Sequence, residues 1–510
     1  MNSPRSIQHL RKNRFNLCWP QILALLGILA VTCGTLEAEL LSGKKADRKI
    51  TPAAWLKQQP KPFFKPEWTL PRLTRYGGGM PLDTRVELAE NWGFAMELSS
   101  YLDDHGLSLL EDRESDNSKA VALAKSNPKR YPLSVICSRK MPGTEAPPET
   151  WTHDKHGKVI NGQAHSMDGT VWSEEHGAIY SPEAPDSVWK MAGEYRAAPL
   201  RELKKRGIPI SIILNGGEYG LSVPGFARPA WSLDPKVAAA VANFPGGSWQ
   251  DYASAKKGNS EQIIADAVRA AVPDRNYYIY YTAGGGTLRN KDATIGDWGP
   301  QWKDLRHVSD LPSNELYYKH FNDGFTGRLN MLTLALNAVA AEISACAPLS
   351  NVGFYGSPPA GGYNTPFPAD SPPIWLTQMA TSSYIHALFS HLESIIRQSD
   401  LLPGTMKNGV STADPAYEMT TGDANVRVLA RKNKTQPEWI LAAWAAEGDN
   451  RNVEVEVPEL GKVTLRARIC GSVYRAVLKD GKLSLRLMDE EGELFTRAPA
   501  NNSTVQAVNE

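Results

Sequence analysis

The sequence predicts an α/β fold of alternating strands and helices, followed by a small antiparallel β domain. Three observations carry this. From Leu70 to about Gln398, short apolar and β-branched runs alternate with segments whose apolar residues recur at helical spacing. Several runs end in turn residues, as at Gly77-Gly78-Gly79, Asn215-Gly216-Gly217 and Gly284-Gly285-Gly286. After Leu402-Pro403-Gly404 the texture changes to short alternating runs divided by turns, the pattern of an antiparallel sandwich.

Taken in order, residues 1–38 of the 510 read as an export signal. Arg5, Arg11, Lys12 and Arg14 form a basic start, and 19–31 is an apolar stretch too short to span a bilayer comfortably. Cleavage is expected after Ala38, and the mature protein is expected to be secreted or periplasmic. Cys33 invites a lipid-anchor reading, but Ala30-Val31-Thr32 before it is a poor anchor signal. Residues 39–68, rich in Lys and Pro, are expected to be a loosely attached leading segment.

Strands are then expected at 70–75, 107–111, 131–137, 209–214, 276–281, 305–309 and 351–355. Helices are expected at 84–102, 117–125, 186–206, 261–271, 329–345 and 375–398. Seven such alternations favour a (β/α)8 TIM-type barrel over 69–403, its eighth strand not placed, rather than an open sheet. No Gly-x-Gly-x-x-Gly fingerprint supports the open dinucleotide-binding alternative. The runs 426–430, 439–443, 453–457, 463–468 and 483–487 make the β-sandwich of 404–500, and 501–510 is a tail. In that sandwich Trp439 and Trp444 differ in parity, so one belongs in the core and the other on the opposite face.

Composition narrows the function. The 56 Lys+Arg nearly balance the 55 Asp+Glu, so no net basic charge points to nucleic acid. No later stretch is long and apolar enough for a membrane span. Of five Cys, Cys18 and Cys33 fall in the signal, and Cys137, Cys346 and Cys470 lie too far apart for a metal motif. Neither a phosphate-binding loop after Gly79 nor a Gly-x-Ser-x-Gly elbow is present, and no cofactor is expected. Oligomeric state is not legible.

The richest motif is the strand-like run that ends at Asn215-Gly216-Gly217-Glu218-Tyr219. Two glycines let the backbone turn and set the Glu218 carboxylate at the strand's carboxyl end, where α/β barrels carry their chemistry. There it suits a general acid/base, with Asn215 and Tyr219 as neighbours that touch substrate; a salt-bridged or capping Glu is the bland alternative. Glycoside cleavage needs a second carboxyl across the scissile bond. It is sought in residues 309–323, read as the loop after the sixth strand, where Glu315, Asp310 and Asp323 are the alternatives and Tyr317 a neighbour. The segment 151–183 holds His153, Asp154, His156, His165, Asp168, Glu174, Glu175 and His176. Its spacing matches no tight zinc motif, although scattered oxygen ligands leave calcium open. It reads better as a substrate loop, with His165, Asp168 and Trp172 as sugar contacts. Trp298 and Trp302, also in a strand–helix connection, are placed to stack on a sugar ring, or else to pack.

With the signal, the strand-borne Asn215-Gly216-Gly217-Glu218 and the terminal sandwich together, the layout resembles secreted (β/α)8-barrel glycoside hydrolases. In the large retaining superfamily of such barrels an Asn-Glu pair ends the fourth strand and supplies the acid/base. Here two glycines separate Asn215 from Glu218. That superfamily's nucleophile is a Glu ending the seventh strand, whereas Asn351-Val352-Gly353-Phe354-Tyr355 carries none. The resemblance implies a carbohydrate substrate. A non-catalytic carbohydrate-binding barrel and a metal-dependent hydrolase are the competing readings.

Overall fold

The computed structural model describes residues 49–75, 80–98, 107–108, 110–137, 146–164, 171–216, 230–246, 248–281, 304, 307–317, 351–355, 362–402, 419–423, 426–445, 450–467, 472–488 and 505–506. Residues 1–48, and with them the export signal, lie outside this set. In chain order the amino-terminal elements are β1 (Lys49–Ile50), α1 (Pro52–Gln58), β2 (Thr74–Arg75), α2 (Leu82–Asn91), β3 (Met96–Glu97), α3 (Asp116–Ser126) and β4 (Leu133–Cys137). A hairpin of β5 (Asn161–Ala164) and β6 (Val171–Ala178) follows. After it come α4 (Asp186–Lys205), β7 (Ile212–Gly216), α5 (Pro235–Ala242), α6 (Trp249–Ala271), β8 (Tyr277–Tyr281), β9 (Leu311–Tyr317), β10 (Asn351–Tyr355), β11 (Phe367–Pro368) and α7 (Ile374–Arg397).

One parallel sheet has the order β2-β10-β9-β8-β7-β4-β3. Its two ends are also joined. Leu73 and Phe94 form a parallel bridge. Leu73 N–H donates to the Gly93 carbonyl at 3.0 Å, and Ala95 N–H donates to the Leu73 carbonyl at 2.9 Å. β2 therefore has hydrogen-bonded neighbours on both flanks, β10 and the β3 segment.

The strands have two apolar faces. Met96, Leu133, Val135, Cys137, Ile213 and Tyr278 belong to the core that includes Val188, Leu200 and Leu203 of α4 and Ile264 and Val268 of α6. Ala95, Ile136, Ile212, Leu214 and Ile279 form a second cluster on the face turned away from the helices. Runs buried on both faces read as continuous hydrophobic stretches, which is why 131–137 and 209–214 were legible as strands. α4 presents Val188, Ala192, Leu200 and Leu203 at helical spacing. α6 is capped by Ser248, whose hydroxyl accepts from Asp251 N–H. The two helices approach closely at Gly193, where a Cβ would meet Ala267 and the Ile264 backbone.

Three expectations are corrected. The second strand is Met96–Glu97, not 107–111, and lies inside the stretch expected to be helix 84–102. Gly93, at φ +72°, ends that helix early and turns the chain into the buried run 94–98. The sixth strand is Leu311–Tyr317, not 305–309. The described part of the leading segment, residues 49–68, is not loose: β1 pairs with β11, and Phe63, Phe64 and Trp68 pack on His391 and His386 of α7. Burial pulls the His386 imidazole down to about 3, so it sits there neutral. The expected helix 329–345 lies outside the described residues.

The terminal domain is an antiparallel sheet of order β12-β13-β14-β17-β18-β19 faced by the hairpin β15–β16. The strands are β12 (Ser399–Leu401), β13 (Val426–Asn433), β14 (Glu438–Ala445), β15 (Arg451–Val457), β16 (Gly461–Ala467), β17 (Ser472–Lys479), β18 (Lys482–Leu487) and β19 (Val505–Gln506). Val428, Trp439 and Leu441 of the sheet share one core with Val455, Val463 and Leu465 of the hairpin. Trp439 is the core tryptophan, as parity allowed; the Trp444 side chain lies outside the described set. β12 pairs with β13 directly after α7 ends.

Gly93 gives a test of the sheet junction. A Cβ there would run into the Phe64 ring, and a left-handed residue with a side chain costs about 1–2 kcal/mol. Gly93→Ala is expected to lower stability by at least that much in chemical denaturation. A Phe64→Ala background should recover the steric part, and a double-mutant cycle measures it.

Candidate functional site

The face turned away from the helices is built by register. Ser134 lies opposite Ile212, and Ile136 opposite Leu214. Leu214 lies opposite Ile279, and Gly216 opposite Tyr281. β9 continues the row, with Leu311 opposite Ile279 and Ser313 opposite Tyr281. Asn351, Gly353 and Tyr355 then face Ser313, Glu315 and Tyr317 across β9 and β10. Gly353 in turn lies opposite Thr74. Paired residues of parallel strands share a face, so Leu311, Ser313, Glu315 and Tyr317 fall at positions of the Ile279 row.

The sequence-predicted residues divide into three groups. Glu218, Tyr219, His165, Asp168, Trp298, Trp302 and Asp323 lie outside the described residues. Asn215, Trp172, Glu315 and Tyr317 are placed as backbone positions in β7, β6 and β9. Asn215 stands opposite Cys137 and Tyr280, and Glu315 opposite Gly353.

Asp310 is fully placed, and its expected position is corrected. Because β9 begins at Leu311, Asp310 precedes the strand instead of following one. Its carboxylate accepts from the Tyr278 amide at 2.6 Å and lies 3.5 Å from the Arg269 guanidinium. Its own amide donates to the Tyr278 carbonyl at 2.9 Å. Asp310 thus fastens the amino end of β9 to β8, at the end of the sheet opposite the one where parallel barrels carry chemistry.

The base of the 151–183 segment is firmly held. Trp151 stacks on Tyr180, and Tyr180 on Trp189. Trp231 donates its indole N–H to the Tyr180 carbonyl at 2.9 Å. Buried Asp234 accepts from the His153 amide at 3.1 Å and from the Lys236 amide at 2.9 Å, so it caps α5 and ties the connection after β4 to the one after β7. Asp154 accepts from the Lys158 and His156 amides of its own turn. Those bonds lower its pKa, and its oxygens serve that turn. Among the described residues no group of three or more His, Cys, Asp or Glu converges to hold a metal ion.

Two features were not foreseen. The first is Glu97, a buried carboxylate at the carboxyl end of β3, opposite Ser134. Its carbonyl accepts from Arg85 of α2 at 3.1 Å, and the same guanidinium nitrogen donates to Asn117 of α3 at 3.1 Å. No sequence signal marked Glu97, since Met96–Glu97 fell inside an apparent helix.

The second is a charged cluster between α4, α6 and the outer face of the sheet. Glu261 lies 3.5 Å from Arg196 and 3.5 Å from Lys257, and all three are buried. The Cys137 thiol donates to the Arg196 carbonyl at 3.2 Å. Burial pushes that thiol up to about 12 and draws the Lys257 ammonium down to about 8. A thiol so protected is inert, so Cys137 is a packing residue.

No family model matches the chain, and no curated protein matches its sequence. Solved structures that superpose on it include an alpha-amylase from Geobacillus thermoleovorans complexed with acarbose, at 12% identity over 72% of this chain and 80% of that one, TM-score 0.34. Another is a GH30 endoxylanase from Clostridium papyrosolvens, at 10% identity over 82% and 97%, TM-score 0.33. A third is the galactosidase domain of an alpha-galactosidase-sucrose kinase, at 10% identity over 81% and 54%, TM-score 0.39. At such identities and scores no reaction carries over, and the chemistry has to be read from this chain's own residues.

The charged cluster gives two tests. Removing one partner of a buried ion pair costs about 3–5 kcal/mol, so Glu261→Gln should destabilise the fold by that order in urea unfolding. Lys257 titrates near 8 when folded and near 10.5 when unfolded. Between those pH values the unfolded chain binds more protons, so stability from this group rises with pH. The stability of the wild type relative to Lys257→Met should therefore climb from pH 8 to 10.5; a flat difference would mean that the amine is not held by burial.

Proposed function

We propose that the chain is an exported glycoside hydrolase, with Glu218 and Glu315 as its two carboxylic groups and a carbohydrate as its substrate. We read the parallel sheet as the inner wall of a (β/α)-type barrel whose ring, among the described residues, is joined through seven strands instead of the eight expected. The stagger supports this. A line across the strands runs from Glu97 through Ser134 and Ile212 to Tyr277. Carried on through the pairings Ile279–Leu311, Ser313–Asn351, Gly353–Thr74 and Leu73–Phe94, it passes positions 309, 347 and 68 and returns at 89. From 97 to 89 is a stagger of eight residues, the shear of TIM-type barrels.

The observation that carries the two-carboxylate reading is the register at the carboxyl end of three consecutive strands. Gly216 lies opposite Tyr281, and Tyr281 opposite Ser313. Glu315 stands two residues beyond Ser313 in β9, and Glu218 follows Gly216 by two residues in the sequence. The strands β7 and β9 are two steps apart, or about 9–10 Å between backbones at ~4.8 Å per step. We read Glu218 and Glu315 as a pair of carboxyl groups within the range for glycoside cleavage. About 5 Å suits a nucleophile and a retained configuration; about 6.5–9.5 Å leaves room for water and inversion. Asp310 has no part in this reading, since Arg269 and the Tyr278 amide hold it at the far end. Asn215 and Tyr219 beside Glu218, and Tyr317 beside Glu315, are read as substrate neighbours. His165, Asp168, Trp172, Trp298 and Trp302 keep their reading as sugar contacts on the connections above. Residues 1–38 are read as the export signal.

The test is a glycan panel with reducing-end detection, run on the wild type, Glu218→Gln and Glu315→Gln. General acid–base catalysis contributes about 10²- to 10⁴-fold. Each amide variant should lose turnover by that order at an unchanged melting temperature. Ordinary turnover in both well-folded variants would remove the pair from the mechanism. Secreted material should begin at Glu39.

A further inference from the structure

We propose that His386 is an acid-sensitive latch: its neutral ring holds the leading segment over the amino end of the parallel sheet, and a proton on that ring releases residues 63–72. The latch does not depend on the glycosidase reading. Thr69 joins α7 to the sheet. Its amide donates to Glu393 at 2.9 Å, and its hydroxyl donates to the same carboxylate. Its carbonyl accepts from Tyr277, the first residue of β8, which packs against the cluster facing away from the helices. The leading segment therefore reaches from α7 to the start of β8. His386 stands seven residues before Glu393 on α7, two turns along the same face. It is 4% exposed. The Trp68 ring meets it edge-on at 5.0 Å and the Phe64 ring at 6.0 Å, and those two rings lie 4.5 Å from each other. The Arg72 guanidinium sits 4.7 Å over the Trp68 ring. His386 Nε2 is buried with no hydrogen-bond partner among the described residues.

A neutral imidazole fits this clamp and an imidazolium does not. The charged ring carries two N–H donors, and aromatic walls offer them little. Burial is the main reason the ring stays neutral; Arg72 adds to it, and a hydrogen bond at the Pro71 carbonyl offsets them in part. Burial lowers Arg72 to about 10, so it remains a cation at neutral and acid pH. A proton on His386 would set two cations on the Trp68 indole. Other charged groups line the same contact. From α7, His391 Nε2 lies 2.8 Å from the Phe63 carbonyl and can donate there in either charge state. Burial raises the Glu393 carboxyl, but hydrogen bonds from Thr69 and Arg397 outweigh it and hold it below its ordinary 4.5. From α2, Glu87 takes up Lys61 and the Trp92 indole. Lys65 lies 3.9 Å from Glu67. Above pH 4.5 Glu393 keeps its charge, so the interval from 6.5 to 4.5 reads His386. The docked ring titrates near 3 and a free one near 6.5. Between those values the undocked state binds more protons. Docking is therefore complete above pH 6.5 and weakens by about tenfold for each pH unit below it.

The readout is hydrogen exchange of the full chain across that interval, corrected for the intrinsic exchange rate at each pH. The Lys65 and Thr69 amides report docking, since they donate to Ser390 and Glu393 of α7. In the wild type their protection should fall by about 100-fold from pH 6.5 to 4.5, while the amides of β7 and β8 keep theirs. In His386→Gln, which has no ring to protonate, the fall should disappear. In His391→Gln it should persist. Four results overturn the latch: flat protection in the wild type, an equal fall in His386→Gln, no fall in His391→Gln, or a loss shared by β7 and β8, which would make the titration one of the whole fold. If His386→Gln does not fold, the wild type and His391→Gln decide by the same criteria. Every reading is made without turnover, so it stands apart from the outcome of the glycan panel.

Discussion

Two backbone hydrogen bonds at Leu73 govern what the parallel sheet can enclose. With β10 on one flank of β2 and the β3 segment on the other, the sheet has no free edge along that strand. A closed sheet avoids the unpaired N–H and C=O groups that an open edge would offer to other chains. The described strand residues divide between a helix-facing row and a row turned away from the helices. On the first row the layer of α4 and α6 is held by apolar packing and by Glu261 between Arg196 and Lys257. Gly93 is where the two demands meet: its positive φ feeds Phe94 to the bridge, and its missing Cβ admits the Phe64 ring.

The strands most legible in the sequence were those written as continuous apolar or aromatic runs. The run 131–137 contains β4, 209–214 overlaps β7, and 276–281 and 351–355 match β8 and β10 within a residue. β3 was missed because Met96–Glu97 is only two residues long, and Leu88, Ala89, Phe94 and Met96 imitate helical spacing when Gly93 is ignored. β9 was missed because Pro312-Ser313-Asn314 reads as a turn. Pro312 is tolerated near the start of the strand, where Tyr280 lies opposite it. That one error displaced a whole site expectation. Counting from a strand at 305–309 made Asp310 look catalytic, whereas counting from Leu311 moves it to the amino end and leaves Glu315 within the strand.

Polar residues were harder to read than apolar ones, for a physical reason. Whether a carboxylate is a clamp, a cap or part of a site depends on what lies opposite it across the fold. Asp234 and Asp310 are alike in sequence context, yet one joins two connections through backbone amides and the other pins a strand start. Glu261 is an ordinary helix-surface Glu in the sequence and a buried carboxyl group between Arg196 and Lys257 in the fold. Parity and periodicity carry information over a few residues; these roles are fixed by partners tens of residues away.

The packing of the leading segment on α7 has a consequence for the timing of synthesis. Lys65 and Thr69 find their partners Ser390 and Glu393 across 325 and 324 residues, and Phe63, Phe64 and Trp68 find theirs on the same helix. At roughly 5–20 residues per second, a ribosome takes on the order of 15–65 s to cover that distance. For that interval an aromatic strip near the start of the chain has nothing to cover it. This packing can form only once α7, which ends at Arg397 of the 510 residues, has emerged.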